Sequence, residues 1–256
     1  MSQPGPISKA LELPSGARFY KCALQVNPFE YLRKQQQQTG YANESDYNAA
    51  IVRACRQNGI EVIATMDHYR VASSESLRRA AEDAGIHVFP GFEAVTKDGV
   101  HILCLFDADL EVAAMERIIG DCGVYNDNTA SPVGQYDVEE FLKKAWSWGG
   151  ICIAAHVVMP RGGLLGKLSG KPRVNAWRSP HLLACAISGA VKDVRDDLRP
   201  ILENKNADHK RERRVAVVNA RDVNDPEDVA RDEFSCFIKM SEVYSRRLDS
   251  SGWKAA

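Results

Sequence analysis

The stretch "GIEVIATMDHYR", residues 59–70, is an apolar run that ends abruptly on an acid and an imidazole, Asp67 and His68. A run that is apolar on both faces is typical of a strand in a buried parallel sheet. Polar side chains that follow such a strand lie either in an ordinary surface turn or at a catalytic or metal site at the end of the strand. The rest of the chain has to decide between these two interpretations.

The same helix-and-strand unit occurs three times in the chain. Helical patterns of apolar residues cover 45–59, with Ser45 as the expected N-cap, and then 73–85 and 137–150. Each pattern ends in glycine and leads into a short apolar run, which reads "IEVIATM", "IHVFP" or "ICIAA". Alternation of this kind predicts a parallel α/β architecture, either an open sheet or a barrel.

The composition is that of a chain able to bury one sizeable core, with 256 residues of which 45% are hydrophobic. Its net charge of -1 neither predicts nor excludes a nucleic-acid partner. Seven cysteines without a CxxC pair indicate small core residues in a reducing compartment. No signal-peptide core and no run of eighteen apolar residues is found. We therefore expect a cytoplasmic protein that makes no membrane contact.

Imidazoles and carboxylates recur at the ends of the predicted strands. The residues concerned are Asp67 with His68, Glu93, His101 in "GVHILCLFD", His156, and Asp222 after "VAVVNA". Taken alone, each has an ordinary structural explanation, and Asp222 is equally suited to cap a short helix at 226–231. Because the carboxyl ends of parallel strands share one face of the sheet, their coincidence favours a shared polar site. Imidazole and carboxylate ligands together suit zinc, manganese or iron.

Several motifs of the chain resemble one known family. The order "TMDH", "PGFE", "GVHILCLF", "GGICIAAH" and a final strand followed by Asp222 resembles the polymerase-and-histidinol-phosphatase (PHP) family of metal-dependent phosphoesterases. The chain is most similar to the PHP-like N-terminal region of TrlF-type AAA-like ATPases. The resemblance implies a single-domain, distorted (β/α)7 barrel at 16–243. An extension at 1–15 and a divergent tail at 244–256 would flank it.

The resemblance also implies a set of metal ligands, and this chain departs from that set at three positions. The implied ligands present are His68, Glu93, His101, His156 and Asp222, with Asp67 as a supporting acid. Gln25 and Asn27 stand where the family's first strand carries His-x-His, and Asn224 replaces the histidine of a closing Asp-x-His. Amide oxygens are weak ligands for transition metals. We therefore expect a divalent metal, but fewer ions than a complete PHP cluster holds.

Two functions follow from this incomplete ligand set. The first is metal-dependent hydrolysis of a phosphoester, with nucleic acid as a candidate substrate. The alternative is a catalytically inactive PHP-like domain that binds nucleic acid or a protein partner such as an ATPase subunit. The chain has no GxxxxGK[ST] motif of its own.

Two basic stretches bear on the choice of ligand. "GGLLGKLSGK" is predicted to form a loop after the His156 strand, and contact of Arg161, Lys167 or Lys171 with an anionic substrate is the less favoured alternative. The run "HKRERR" at 209–214 is predicted to be a charged connector before a strand and not a phosphate site.

Overall fold

An eight-stranded sheet forms the frame of the computed structural model, which describes residues 17–125 and 129–240. The predicted extension at 1–15 and tail at 244–256 lie outside the described residues. The strands are β1 (Arg18–Val26), β2 (Val62–Thr65), β3 (His87–Val95), β4 (His101–Leu105), β5 (Ile151–Ala154), β6 (Leu182–Ile187), β7 (Ala216–Asn219) and β8 (Cys236–Met240). Their order in the sheet is β7-β6-β5-β4-β3-β2-β1-β8.

Helices connect most of these strands and cover the outside of the sheet. They are α1 (Phe29–Lys34), α2 (Glu44–Gln57), α3 (Glu75–Asp83), α4 (Val112–Asp121), α5 (Val138–Ser147), α6 (Leu164–Lys167), α7 (Gly170–Arg178) and α8 (Arg199–Leu202). Short 3-10 helices occur at Ala72–Ser74, Val191–Asp193, Pro226–Ala230 and Asp232–Phe234. Within the described part of the chain, no helix combines the length and apolar character needed to cross a membrane.

The sheet curls into a nearly closed barrel whose two ends meet at β1. The first half of β1 pairs with β8 in antiparallel register, from Arg18 opposite Met240 to Cys22 opposite Cys236. Beyond this point, Val26 forms a parallel bridge with Val223, shortly after β7. Seven strands therefore complete the ring, and β8 lies alongside it. The predicted distorted (β/α)7 barrel is confirmed as the fold class, while β8 was not predicted.

One strand runs against the direction that the parallel architecture predicts. β4 is antiparallel to both of its neighbours, β3 and β5. Within the predicted parallel α/β architecture, β4 is therefore an antiparallel exception. The reversal places the beginning of β4, where His101 lies, at the same end of the barrel as the carboxyl ends of the parallel strands. A five-residue apolar run carries no signal of strand direction, so this reversal was not predicted.

Alternating side chains divide the core into an interior and an outer layer. In β1, Cys22 and Leu24 face the barrel interior, whereas Ala23 packs outward. The interior cluster contains Tyr20, Cys22, Leu24, Val62, Ala64, Met66, Leu103, Leu105, Ile153, Ala155, Ala186 and Ala220. Full burial of one large apolar side chain stabilises a fold by about 1.5–3 kcal/mol. The interior therefore makes the barrel a firm support for the side chains at its end.

The repeated helices end where the glycines predict, but one begins at a different cap. The side chain of Asn43, not of Ser45, accepts a hydrogen bond from the Asp46 amide at 2.9 Å and caps α2. At the other end of that helix, Gly59 adopts φ +66°, which turns the chain into β2. Positive φ values of this kind carry little steric penalty for glycine, so the residue terminates the helix.

Candidate metal centre

The predicted site residues converge at one end of the barrel. This end, called the rim below, is formed by the carboxyl ends of the parallel strands and by the beginning of β4. The residues that the structure brings together there are Gln25, Asn27, His68, Glu93, His101, His156, Asp222 and Asn224. They form two groups with different chemistry, which are connected through Glu93 and Gln25.

Three imidazoles surround the buried carboxylate of Glu93, and these four side chains are called the imidazole cluster. Oε1 of Glu93 lies 2.6 Å from Nδ1 of His101 and 3.8 Å from Nε2 of His156. Its Oε2 lies 3.9 Å from Nδ1 of His68. The Glu93 side chain is only 3% exposed, so the imidazoles replace water as its main polar surroundings.

Strand pairing accounts for this arrangement. His68 follows β2 and forms an isolated parallel bridge with Glu93. On the opposite side, β3 and β4 pair with Val95 opposite His101. Residues two positions apart on a strand point to the same face, so the His101 side chain stands diagonally next to Glu93. The imidazoles of His68 and His101 are therefore positioned by strand pairings that the packed core keeps in register.

The imidazole cluster fits a single divalent ion. One ligand atom from each of His68, Glu93 and His101 lies within 4.8 Å of the other two. Among the residues that the structure describes, the buried Nδ1 atoms of His68 and His156 have no hydrogen-bond partner. Buried polar atoms without partners are uncommon in folded proteins, and here they lie in or beside a set of metal-type ligands. His156 lies beside this group of three, not within it.

The second group, called the amide cluster, consists of Gln25, Asn27, Asp222 and Asn224. Nε2 of Gln25 donates to Glu93 Oε2 at 3.0 Å and to Asp222 Oδ1 at 2.7 Å. Nδ2 of Asn27 donates to Asp222 Oδ1 at 3.1 Å and to Asn224 Oδ1 at 2.7 Å. Amide N–H groups thus hold two carboxylates that would otherwise repel each other. The residues that depart from the family pattern form a connected hydrogen-bond network.

An irregularity in β1 turns Gln25 toward the rim. Along the pairing with β2, Cys22 and Ala23 stand opposite consecutive residues, whereas Val26 stands opposite Thr65. Three residues of β1 therefore span the distance of two residues on β2. A β-bulge of this type redirects the side chains that follow it. This explains why the amide of Gln25 reaches both carboxylates.

The two carboxylates at the rim differ in their proton affinity. Burial acts to raise the pKa of Glu93, but the charge of His68, the hydrogen bond from His101 and the nearby imidazole of His156 outweigh it, and the pKa is lowered. Burial and the negative charge of Glu93 raise the pKa of Asp222, against a hydrogen bond from Asn27. Glu93 is therefore the stronger acid of the two and stays ionised at neutral pH.

Asp67 lies behind the imidazole cluster, where the sequence places a supporting acid. Its carboxylate accepts a hydrogen bond from Ser73 Oγ at 2.8 Å and pairs with Arg70 Nη1 at 3.4 Å. Its backbone carbonyl accepts from the Glu93 amide at 3.0 Å. Burial raises the pKa of Asp67, against the effects of these partners. The residue fixes the turn that presents His68.

His156 stands in an uncommon backbone conformation. Its φ is +31°, which is rare for a residue with a side chain. A Cβ atom at Gly162 would lie 2.5 Å from His156 Cε1 and 2.7 Å from His101 Cδ2, so this glycine lets the loop pack against both rings. The Gly162 carbonyl also accepts a hydrogen bond of 2.8 Å from the His101 amide. Gly162 was not predicted as a site residue.

The alternative role of Asp222 as a helix cap is wrong. The 3-10 helix Pro226–Ala230 is capped by Asp225, whose side chain accepts from the Glu227 amide at 2.9 Å. Asp222 is instead part of the amide cluster.

Tyr31 is a further residue at the rim that the sequence analysis missed. It is 7% exposed, and its ring centroid lies 5.7 Å from that of His68. Burial raises the pKa of its phenol, and the charges of Asp222 and Glu93 act in the same direction. Its position in "NPFEY", four residues after Asn27, was the available signal.

The two basic stretches differ in structure. The predicted loop after β5 contains α6 and the beginning of α7, so it is more ordered than expected. In the run at 209–214, Arg211 Nη1 donates to the carbonyls of Trp177 and Ser179 and so joins two segments. That contact agrees with the predicted connector.

The comparisons with known proteins show a likeness in fold. No protein-family model and no curated protein sequence matches the chain. The structure is similar to that of Endonuclease Q, a lesion-specific endonuclease from Pyrococcus furiosus, with a TM-score of 0.57 and 13% identity over 82% of this chain and 49% of that chain. A structure of Endonuclease Q with a 27-mer duplex substrate that has an abasic lesion at the active site gives the same TM-score and identity, over 82% and 50%.

A third similar structure is that of a protein from Bifidobacterium adolescentis named as a metal-dependent phosphoesterase. Its TM-score is 0.48 and its identity 15%, over 77% of this chain and 85% of that chain. The present chain spans about half the length of Endonuclease Q. The likeness to Endonuclease Q, at 13% identity, is a likeness of fold.

Proposed function

We propose that the protein is a metal-dependent phosphoesterase that holds one divalent ion at the imidazole cluster. The observation that carries this proposal is the close grouping of ligand atoms from His68, Glu93 and His101, all within 4.8 Å of one another. His156 would complete the coordination from the other side of Glu93. Zinc, manganese and iron suit this ligand set. The barrel domain at 16–243 would act as a unit.

The protein residues supply charge and ordering for this reaction. A bound divalent ion contributes Lewis-acid activation of water and of a phosphoryl oxygen. Glu93, whose pKa is lowered, stays ionised at neutral pH and balances the charge of a cation. Asp67 and its partners hold the turn that orients His68.

Substrate would reach the site from one side. The side chains of His101 and His156 are 24% and 28% exposed, whereas those of His68 and Glu93 are 6% and 3% exposed. The open face is therefore the one next to Gly162. A phosphoester bound there would lie next to the cluster without displacing buried residues.

Nucleic acid is the substrate class that we favour. Support comes from Endonuclease Q, whose name and complex describe action on a lesion in DNA. At 13% identity this likeness supports the substrate by analogy with the fold. The rim of this chain would bind one phosphodiester at the imidazole cluster.

The second candidate is a catalytically inactive domain that binds a partner. The amide cluster favours this alternative, because two amide hydrogen bonds already satisfy Oδ1 of Asp222 without an ion. A protein partner such as an ATPase subunit stays a prediction, as does a cytoplasmic location.

The decisive experiment is a phosphodiesterase assay with a chromogenic aryl phosphodiester and added manganese or zinc. We expect measurable turnover by the wild type and none by the Glu93→Gln variant. Glu61→Gln serves as the control, because Glu61 pairs with Arg18 away from the rim. Equal turnover by the Glu93→Gln and Glu61→Gln variants would contradict the enzymatic proposal. So would a wild type that shows no turnover with manganese and none with zinc.

A further inference from the structure

Three exposed basic residues lie on adjoining segments beside the open face of the site. They are Lys97 in the β3–β4 turn, Arg161 in the loop after β5, and Lys167 at the end of α6. We call them the basic patch. Arg161 directly precedes Gly162, which packs against the imidazoles of the site. The basic patch therefore begins one residue in sequence from the glycine that contacts the imidazole cluster.

Backbone contacts hold the segments of the basic patch together. Val100, at the end of the β3–β4 turn, forms a parallel bridge with Gly162. In the same turn, a Cβ atom at Gly99 would lie 2.7 Å from Lys167 Cε, so the lysine side chain crosses the turn. The three cations are thus carried by one packed unit and not by independent loops.

The cations of the basic patch have no protein counter-charge in the described part of the chain. None of the three forms an ion pair there, although Lys143 elsewhere on the surface pairs with Glu139. The acid nearest in sequence is Asp98, which accepts hydrogen bonds from Thr96 Oγ1 and from the Val138 amide. Unpaired cations at the mouth of a site attract anionic ligands and raise their local concentration.

We propose that the basic patch binds phosphate groups that flank the one held at the metal centre, so that the ligand is a phosphodiester strand. This inference rests on the proposed function, because it places the strand across the open face of the same site. A substrate with one phosphate group would leave these cations unused. A strand would contact them with successive phosphates while one phosphodiester lies next to His101 and His156.

Strand binding by the basic patch has a quantitative signature. Each neutralised phosphate of a single strand contributes about -0.7 to the slope of the logarithm of the binding constant against the logarithm of salt concentration. Reversing three contacting charges should therefore change that slope by about 2. If the strand bound only through the overall charge of the protein, its affinity would fall in the same way whichever basic residues were changed.

The chain offers a matched control at the opposite end of the barrel. Lys210 and Arg213 are exposed and precede β7, so they lie near the beginning of a strand that carries the rim at its other end. They belong to the basic run predicted to be a connector. Reversal of both lowers the net charge by about four units, against about six for reversal of the three patch residues, without touching the basic patch.

The test is a binding titration of labelled oligothymidylate, about ten nucleotides long, in the presence of a chelator. The chelator removes the divalent ion and so prevents hydrolysis. The titration therefore measures binding alone. We expect the K97E/R161E/K167E variant to lose at least tenfold in affinity and to show a weaker salt dependence. The K210E/R213E variant should stay within about twofold of the wild type. Thermal unfolding checks that each variant is folded, and R161Q and K167Q single variants replace the triple variant if it is not.

Each outcome decides the inference. Equal losses in the two charge variants, or no strand binding by the wild type at low salt, would overturn it. Thymidine 3′,5′-bisphosphate is added as a competitor at equal phosphate concentration, and equally strong competition would overturn the choice of a strand over a small bisphosphate. Patch-dependent binding without hydrolysis after metal addition would uphold this inference while the proposed function fails. Hydrolysis without patch-dependent strand binding would uphold the proposed function while this inference fails.

Discussion

The side-chain amide of Gln25 donates a hydrogen bond of 2.7 Å to the carboxylate of Asp222. The same nitrogen donates to Glu93 at 3.0 Å, so one neutral amide joins the buried carboxylate of Glu93 and the half-buried carboxylate of Asp222. Cations or protons usually compensate such pairs of carboxylates. In this barrel, Gln25 provides part of that compensation, at a position where the PHP family that the sequence resembles carries histidine. This arrangement favours one ion over a larger cluster.

The role of Gln25 predicts a loss of stability when its amide is removed. Gln25→Leu should lower the free energy of unfolding of the metal-free protein by about 2–3 kcal/mol, because the buried Glu93 and the half-buried Asp222 each lose a hydrogen-bond donor. Urea denaturation measures this change. Gln135→Leu is the control, since Gln135 makes its hydrogen bond to Asp121 at the surface. A loss no larger than that of the control would show that Gln25 does not hold the two acids.

Restoring imidazoles to the amide cluster should increase metal binding. The double change Asn27→His with Asn224→His replaces weak amide ligands by imidazoles beside Asp222. We expect binding to tighten by roughly tenfold or more and the metal content to rise toward about two ions. Calorimetric titration with zinc measures both quantities. Gln57→His, at the exposed end of α2, is the control for nonspecific binding by an added histidine.

A gain by the control equal to that of the double variant would contradict this reading of the amide cluster. Absence of any gain in a folded double variant would indicate that this side of the rim does not accept an ion.

Gly162 provides a test of the imidazole geometry that leaves all ligands in place. Gly162→Ala would push a methyl group into His101 and His156, whereas Gly149→Ala would meet open space. The two glycines have nearly equal φ values of +79° and +80°, so both alanines incur a similar strain of about 1 kcal/mol. Only Gly162→Ala should weaken metal binding, by roughly tenfold. Equal affinities in the two variants would mean that the rings do not need this glycine.

His87, at the start of β3, predicts a pH dependence unrelated to the rim. Burial lowers its pKa, and its Nε2 has no hydrogen-bond partner among the described residues. The unfolded chain therefore binds a proton at higher pH than the folded one, and stability falls as pH drops below about 6.5. His87→Leu should reduce this loss between neutral pH and pH 5, as measured by thermal unfolding. An unchanged pH dependence would contradict the assignment.

The sequence predicted the parts of the site that depend on strand ends. His68, Glu93 and His156 follow apolar runs that end helix–strand units, and the barrel brings such ends together by its construction. The limits of prediction from the sequence are also physical. The direction of β4 could not be inferred from five apolar residues, so His101 reaches the rim for a different reason than expected.

The environment of Gln25 and the packing of Tyr31 could not be predicted either. The first depends on one extra residue in β1, and the second on where a short helix folds back over His68. Both result from tertiary packing, for which a local pattern contains no information. The metal ligands themselves stay a prediction that awaits measurement.

The most direct test of the account is the metal content of the protein purified without chelator or affinity-tag histidines. Elemental analysis should find about one manganese, zinc or iron ion per chain in the wild type, and none in His156→Ala or Glu93→Gln. Glu61→Gln should retain the ion. No bound metal in the wild type, even after addition of manganese or zinc, would contradict the central claim that the imidazole cluster is a metal site.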